Sequence, residues 1–408
     1  MSLTEPVKSP PWAGAQRDST NPISPLKTYE RFRLARHREP LRIEITMIEL
    51  DPHNLIEFLA QTGRLAPDIA ATSRAETLSG GVSNVVMRVT VPRGDDFVVK
   101  QSRAQLRTQA AWFSQLERIW RERDVLVVLQ ECTPPRLVPK LLFEDHENFL
   151  IAMEAIPREH VVWKTCLLNE DVDPSIAHQL GTVLATIHAR TANDVRLIDS
   201  LGNRTIFDEL RLDPFYRFVA ARHSELRPAL ERLIDETMAT QACLVLADFS
   251  PKNILIINEN VDSNVSREPS PTPRIALVDF ETGHFGDPAF DLGFFLSHLL
   301  LKTIRSAARS DIFFEMIREF WSAYRTALMN AVSLPDAMQL ATYERRIVPH
   351  LAACMRARVD GKSTVDYLTN EAQTFIREAT TDWLLSPPDR VEAVFRDLQM
   401  RLRAIYSC

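Results

Sequence analysis

Cysteine is sparse and unpaired in this chain. The five cysteines (Cys132, Cys166, Cys243, Cys354 and Cys408) are scattered, odd in number and without a C-x-x-C pair, which points to a reducing compartment and away from a structural zinc. The ten histidines form no ligand cluster either. No apolar run approaches the ~20 residues needed to cross a bilayer. The longest, DLGFFLSHLLL, is shorter and carries His298. The N-terminus, MSLTEPVKSPPW, lacks the hydrophobic segment of a secretory signal. Residues Arg31–Arg42 are basic, but their distance from Met1 and the acidic Glu5 weigh against an organellar presequence, so the cytoplasm is the expected location. An excess of positive charge is also missing: 48 basic against 54 acidic residues give −6 and a pI near 6.0. That balance excludes a general binder of nucleic acid or anionic membranes. Neither G-x-G-x-x-G nor a P-loop occurs. Lysine is scarce, eight against 40 arginines, so a lysine retained at a motif position is informative.

What is present is an ordinary globular composition, 45% hydrophobic and 25% charged over 408 residues, enough for one large or two smaller domains. Residues 1–45, rich in Pro, Ser and charge, read as a disordered arm. Asp51-Pro52 then starts a helix with Leu55, Phe58, Leu59 and Leu65 as its apolar stripe. AETLSGGVSNVVMRVTVPRGDDFVVKQS reads as three strands, LVPKLLFED and NFLIAMEAI as two more. Between them, residues 109–130 are helical, with Trp112, Leu116, Ile119, Trp120 and Leu126 as core positions. This predicts a five-stranded sheet with one long helix over 46–157, followed by a mostly helical region over 158–408. The strands LVLAD, NILII and RIALVD interrupt that region, and the polar loop 258–274 reads as a surface insertion.

The chemistry concentrates in LVLADFSPKNILI and RIALVDFE. Asp248 and Asn253 lie five apart, and Asp279 follows at the end of a second apolar strand. A carboxylate, an amide one short turn later and a second carboxylate after a hairpin form one wall of a metal-nucleotide site. Asp248 can orient and deprotonate a hydroxyl, while Asn253 and Asp279 supply oxygen ligands for Mg²⁺. Singly, each is as well explained as a turn or cap; together, in this order, they point to phosphoryl transfer. Upstream, Ser79-Gly80-Gly81-Val82-Ser83-Asn84 can bring backbone N–H groups and the Ser83 hydroxyl to a phosphate, though GG with SN also describes plain hairpins. Lys100 closes the strand DDFVVK. Lys252 is near enough to Asp248 to reach a transferring phosphate, or is a solvent-facing lysine. Asp287 and Asp291 read as organisers of the loop and caps of the next helix.

A small β-rich lobe, a linker and a helical lobe bearing D-x-x-x-x-N and a strand-end Asp resemble the aminoglycoside phosphotransferase and choline kinase superfamily, small-molecule relatives of the protein kinases. The resemblance spans roughly Asp51 to Leu301, with H-G-D-x-x-x-x-N matched from Leu246-Ala247-Asp248 to Asn253. The second metal motif is matched by Asp279-Phe280-Glu281, then Gly286-Asp287-Pro288 and Asp291. It implies an α+β, bilobal protein-kinase-like fold, with ATP and Mg²⁺ between the lobes and a small-molecule hydroxyl as acceptor. It further implies that Lys100 pairs with Glu122 (Glu117 as the fallback) against the phosphates, and that Met153, Glu154 and Ala155 form the linker facing adenine. Glu281, at the place of the Gly in a kinase DFG, either supports the metal site or is a solvated loop acid. VKQ-x5-R at Val99–Arg107, Trp112, Glu117-Arg118 and Glu122 are more narrowly similar to methylthioribose kinases. One departure stands out: Leu246 and Ala247 replace the family's His and Gly, which raises the alternative of a catalytically impaired nucleotide-binding module. Protein phosphorylation is a weaker option, since no HRD or APE element is found.

Overall fold

The computed structural model describes residues 27–30, 44–78, 84–92, 94–103, 115–257, 274–331 and 333–406. The chain divides into two compact units, Met1–Trp120 with Lys140–Ala155, and Arg121–Pro139 with Ile156–Cys408.

In the first unit, strands β1 (Lys27–Glu30) and β2 (Glu44–Met47) pair antiparallel, β1 and the start of β2 falling within residues 1–45, the expected disordered arm. The five-stranded sheet then comprises β3 (Arg74–Thr77), β4 (Asn84–Thr90), β5 (Phe97–Ser102), β6 (Leu141–Asp145) and β7 (Leu150–Glu154). They run antiparallel in the order β3-β4-β5-β7-β6. Alternation decides its inner face: Val85, Met87 and Val89 of β4 join Phe97 and Val99 of β5 in the core. The helix Leu55–Gln61 covers that face with Leu55, Phe58 and Leu59. Its start is set by Asp51, whose Oδ1 accepts the N–H groups of His53 at 2.8 Å and Asn54 at 3.1 Å. A buried Gln101 ties the sheet to the chain before that helix through Leu50 N–H (2.9 Å) and Ile48 O (2.8 Å).

The long helix expected over 109–130 runs from Arg118 to Cys132 among the described residues. From Arg121 onward it belongs to the second unit, not to the sheet. The reason is its partners: Arg121 donates to the carbonyls of Ser200 and Asn203, both at 2.9 Å. Trp120 is only half-buried and stacks on His146 with ring centres 4.1 Å apart, so it is not the core position the periodicity implied. Trp112 lies outside the described residues.

The second unit holds strand β8 (His160–Val162), β9 (Cys243–Val245), β10 (Ile254–Ile257), β11 (Arg274–Leu277) and β12 (His284–Gly286). β11-β10-β8 form one antiparallel sheet and β12-β9 a second. Long helices carry the rest, among them Pro174–Arg190, Ala289–Arg305, Ser310–Met329 and Leu340–Asp360. Two glycines set their spacing. A Cβ on Gly181 would strike the backbone carbonyl of Phe320, and one on Gly293 would strike His350. The apolar run noted above is the helix Ala289–Arg305, buried from Ala289 to Ile304. No helix among the described residues is long and apolar enough to cross a membrane.

Candidate active site

Strand β9 runs out at Val245 into the loop that carries Asp248. Behind that loop sits Asp291, fully buried on the first turn of helix Ala289–Arg305. Its Oδ2 accepts the N–H of Leu246 and its Oδ1 that of Ala247, both at 2.7 Å. His188 lies 3.2 Å from the same Oδ2 through Nε2 and 2.9 Å from the Tyr324 hydroxyl through Nδ1. Asp287 caps Ala289 N–H at 3.0 Å and holds Arg346 bidentately at 2.8 and 3.0 Å. Burial, reinforced by the carboxylates of Asp291 and Asp287, pushes the Cys243 thiol well above its usual pKa. Asp287 and Asp291 thus fasten the loop and the helix start, as their spacing suggested.

The departure at Leu246-Ala247 has a structural consequence. Ala247 has φ of 57°, the left-handed region where glycine is unstrained and a Cβ costs about 1 kcal/mol. The turn is therefore retained without glycine, gripped by Asp291.

In front of the loop, Asp248 is only 6% exposed, and both of its carboxylate oxygens are occupied. Arg211 Nη2 lies 2.9 Å from Oδ1, and Lys252 Nζ lies 2.9 Å from Oδ2. Asn253 Nδ2 donates to Oδ2 at 2.9 Å and to the Asp248 carbonyl at 3.0 Å. With its amide nitrogen committed to Asp248, Asn253 is left with the carbonyl oxygen Oδ1 for a ligand. Register brings the third residue alongside. Ile254 of β10 faces Leu277 of β11, and Val278 N–H donates to Asn253 O at 3.1 Å, so Asp279 emerges next to Asn253. Asp279 has φ of 72°, a conformation aspartate tolerates better than most residues. Asp248, Asn253 and Asp279 line one small pocket with Ser250 and Phe280.

The donor set of that pocket suits a hard cation. Mg²⁺ takes one or two protein oxygens and fills the remaining positions with water and phosphate, so an amide oxygen and a carboxylate suffice. Ser250 adds an orphaned group: its Oγ is fully buried at the pocket wall and has no hydrogen-bond partner among the described residues. Such a hydroxyl costs about 1–3 kcal/mol and suits a ligand oxygen. Glu281 is buried at 8% exposure but does not line the pocket. Among the described residues there is no group of three or more His, Cys, Asp or Glu side chains that could hold a metal.

The remaining expected residues are placed as follows. Glu122 is 1% exposed in the second unit, with Oε1 3.5 Å from Phe280 N–H, directly behind the Asp279 turn. Lys100 is buried in the first unit's sheet, opposite Val86 and Ile151. Asn84 accepts from Arg118 Nη2 at 3.3 Å. Gly80, Gly81 and Ser83 lie outside the described residues. Met153 is buried and Glu154 exposed at the end of β7. The N–H groups of Glu154 and Ala155 are already donated to Lys140 O (2.9 Å) and Asp96 O (3.3 Å).

Arg211 was missed. It lies in a π-helical stretch, Asp208–Arg217, that also contains Pro214. Its Nε grips the Ala247 carbonyl at 2.6 Å while its Nη2 holds Asp248. The available signal was an arginine wedged between Leu210 and Leu212, whose apolar neighbours imply a buried charge. Phe215 and Tyr216 of the same stretch, and Phe207 just before it, are core residues.

Comparison with known proteins supplies a second line of observation. The model of the phosphotransferase enzyme family (APH) matches residues 74–327. A 4-hydroxytryptamine kinase of Psilocybe cubensis is 25% identical over 278 residues, 60% of this chain and 72% of that protein. Choline kinase LicA from Streptococcus pneumoniae is 17% identical at a TM-score of 0.43, covering 82% of this chain and 99% of that one. A macrolide 2'-phosphotransferase, MphH from Brachybacterium faecium, is 20% identical at a TM-score of 0.42, covering 82% and 98%.

Proposed function

Because this chain belongs to the phosphotransferase enzyme family, we propose that it transfers the γ-phosphoryl group of ATP to a hydroxyl of a small molecule, with Mg²⁺ as its metal. That it is a small-molecule kinase follows from family membership and from relatives named as kinases. The observation that carries the finer reading is the single pocket shared by Asp248, Asn253 and Asp279.

In this reading Asn253 Oδ1 and the Asp279 carboxylate hold Mg²⁺, which when bound neutralises charge on the phosphates. Asp248 orients the acceptor hydroxyl and takes its proton as the oxygen attacks the γ-phosphorus and the bond to the β-phosphate oxygen breaks, releasing ADP. Arg211 and Asn253 fix the carboxylate from two sides, so little reorganisation remains at the moment of transfer. Lys252, half-exposed and 2.9 Å from Asp248, is long enough to swing onto the transferring phosphoryl group. Lys100 contributes a cation for the α- and β-phosphates, with Glu122 as the acid assigned to the same nucleotide machinery. Phosphoryl transfer depends chiefly on such positioning and charge neutralisation. A cytoplasmic location belongs to the same proposal, supported by the free cysteines Cys132, Cys166, Cys243 and Cys354.

The alternative of a catalytically impaired nucleotide-binding module, raised by Leu246 and Ala247, is weakened by Asp291, which holds both of their N–H groups and so keeps the loop in place. The test is coupled ADP release over a broad alcohol panel. Acceptor-dependent release that EDTA abolishes is expected. ATP binding without release from any acceptor would overturn the reading.

A further inference from the structure

The helical unit buries more positive charge next to Asp248 than it neutralises. Arg211 and Arg358 flank the same two rings. The Arg211 guanidinium carbon is 6.0 Å from the centre of Phe215 and 5.5 Å from Phe294, and that of Arg358 is 4.7 and 5.4 Å away. Arg211 is matched by Asp248. Arg358, only 8% exposed, forms no ion pair within 4.0 Å among the described residues; the charges acting on it include Arg211, which opposes its own, and Asp248, which favours it. Its Nη1 donates to Ser363 O and Oγ at 2.9 Å, its Nη2 meets His298 Nε2 at 3.2 Å, and its buried Nε has no partner among the described residues.

One turn beyond His298, Lys302 is 1% exposed. Its Nζ donates to His298 O at 3.2 Å and lies 5.5 Å from the centre of the Tyr367 ring. No carboxylate among the described residues pairs with it. The buried Tyr367 hydroxyl is itself without a hydrogen-bond partner among the described residues. Burial, then the positive charges of Lys164, Arg358 and Arg305, pulls the Lys302 ammonium down to about 7. His298 is driven well down by burial and by Arg358, Lys302, Lys252 and Lys164. Buried cations without anions are expensive, and a ligand that brings the missing charge offsets that cost.

We propose that the acceptor alcohol carries an anionic group, a carboxylate or a phosphate, that docks on Arg358 and Lys302 while its hydroxyl faces Asp248. The inference rests on the phosphotransfer reading and narrows its acceptor. A cationic acceptor would meet like charge from Arg358, Lys302 and Lys164. An anionic one would complete the hydrogen bonding of Arg358 Nε and the Tyr367 hydroxyl.

The experiment is ADP release from MgATP against hydroxycarboxylates and sugar phosphates, amino alcohols and aminoglycosides, and uncharged polyols. Turnover confined to the anionic set is expected. With the best acceptor, Lys302→Met should raise the acceptor KM at least tenfold while the KM for ATP stays within twofold. Arg358→Gln should do the same. In the wild type, the methyl ester of a carboxylate acceptor, or the dephosphorylated form of a phosphate one, should lose at least tenfold in kcat/KM, a readout that needs no variant to fold. A best acceptor that is cationic or neutral overturns the inference and leaves phosphotransfer standing. An unchanged acceptor KM in folded variants, or an effect on ATP instead, also overturns it. Silence from every set removes the phosphotransfer reading, and the inference falls with it.

Discussion

The two sides of the loop at Asp248 are built on opposite charges. Behind it, Asp287 and Asp291 are fully buried, and their partners are backbone N–H groups, His188 and the bidentate Arg346. In front of it, Asp248 faces Arg211 and Lys252, with Arg358 and Lys302 beyond. A carboxylate held by main-chain groups cannot release them without unravelling the loop. One held by the tips of long side chains can exchange them for a substrate. Asp291, which grips two N–H groups of the loop, is therefore architectural, and in the proposed reading Asp248 is the acid available for chemistry.

Substitutions separate the two sides. Asp248→Asn should lower kcat by on the order of a thousandfold or more, because it removes the proposed general base from the reacting alcohol. Nucleotide affinity should stay near wild type, while the urea midpoint falls, because the buried Arg211 loses its paired carboxylate. Full turnover in this variant would erase the distinction. Asp291→Asn should act the other way, costing about 3 kcal/mol in urea unfolding, because an amide cannot accept from two N–H groups and His188 as a carboxylate does. A midpoint equal to wild type would show that the back of the loop is not fastened there. The smallest effect is expected of Ala247→Gly. Relief of the left-handed strain should exceed the added chain entropy and stabilise the fold by roughly 0.5 kcal/mol, with kcat changed by less than about threefold, since that is under 1 kcal/mol of barrier. A loss of stability would mean that the Ala247 methyl is packed to advantage.

What the amino-acid sequence disclosed, and what it hid, follows from range. Asp248, Asn253 and Asp279 each adjoin a hydrophobic strand, so local pattern and spacing exposed them. The sheet was legible because Val85, Met87 and Val89 alternate with residues facing the other way. The strands His160–Val162 and His284–Gly286 are three residues each, too short for any period to register. They exist because β10 and β9 offer them edges. Arg211 reaches a loop 36 residues on, which no local rule connects. His298 and Lys302 did leave a trace, two ionisable residues four apart in the apolar middle of the helix Ala289–Arg305, but only folding reveals that Arg358 joins them. The helix from Arg118 was legible as a helix, while its allegiance after Arg121 depends on carbonyls of Ser200 and Asn203.

The most direct test of the shared pocket is Mn²⁺ binding, followed by electron paramagnetic resonance in the presence of ADP, for wild type, Asn253→Ala and Asp279→Asn. Nucleotide-dependent Mn²⁺ binding is expected in the wild type and should weaken at least tenfold in each variant, while the urea midpoints stay close to one another. Equal affinity in all three proteins would contradict the assignment of Asn253 and Asp279 to one metal, and with it the account of Asp248 as the base beside that metal.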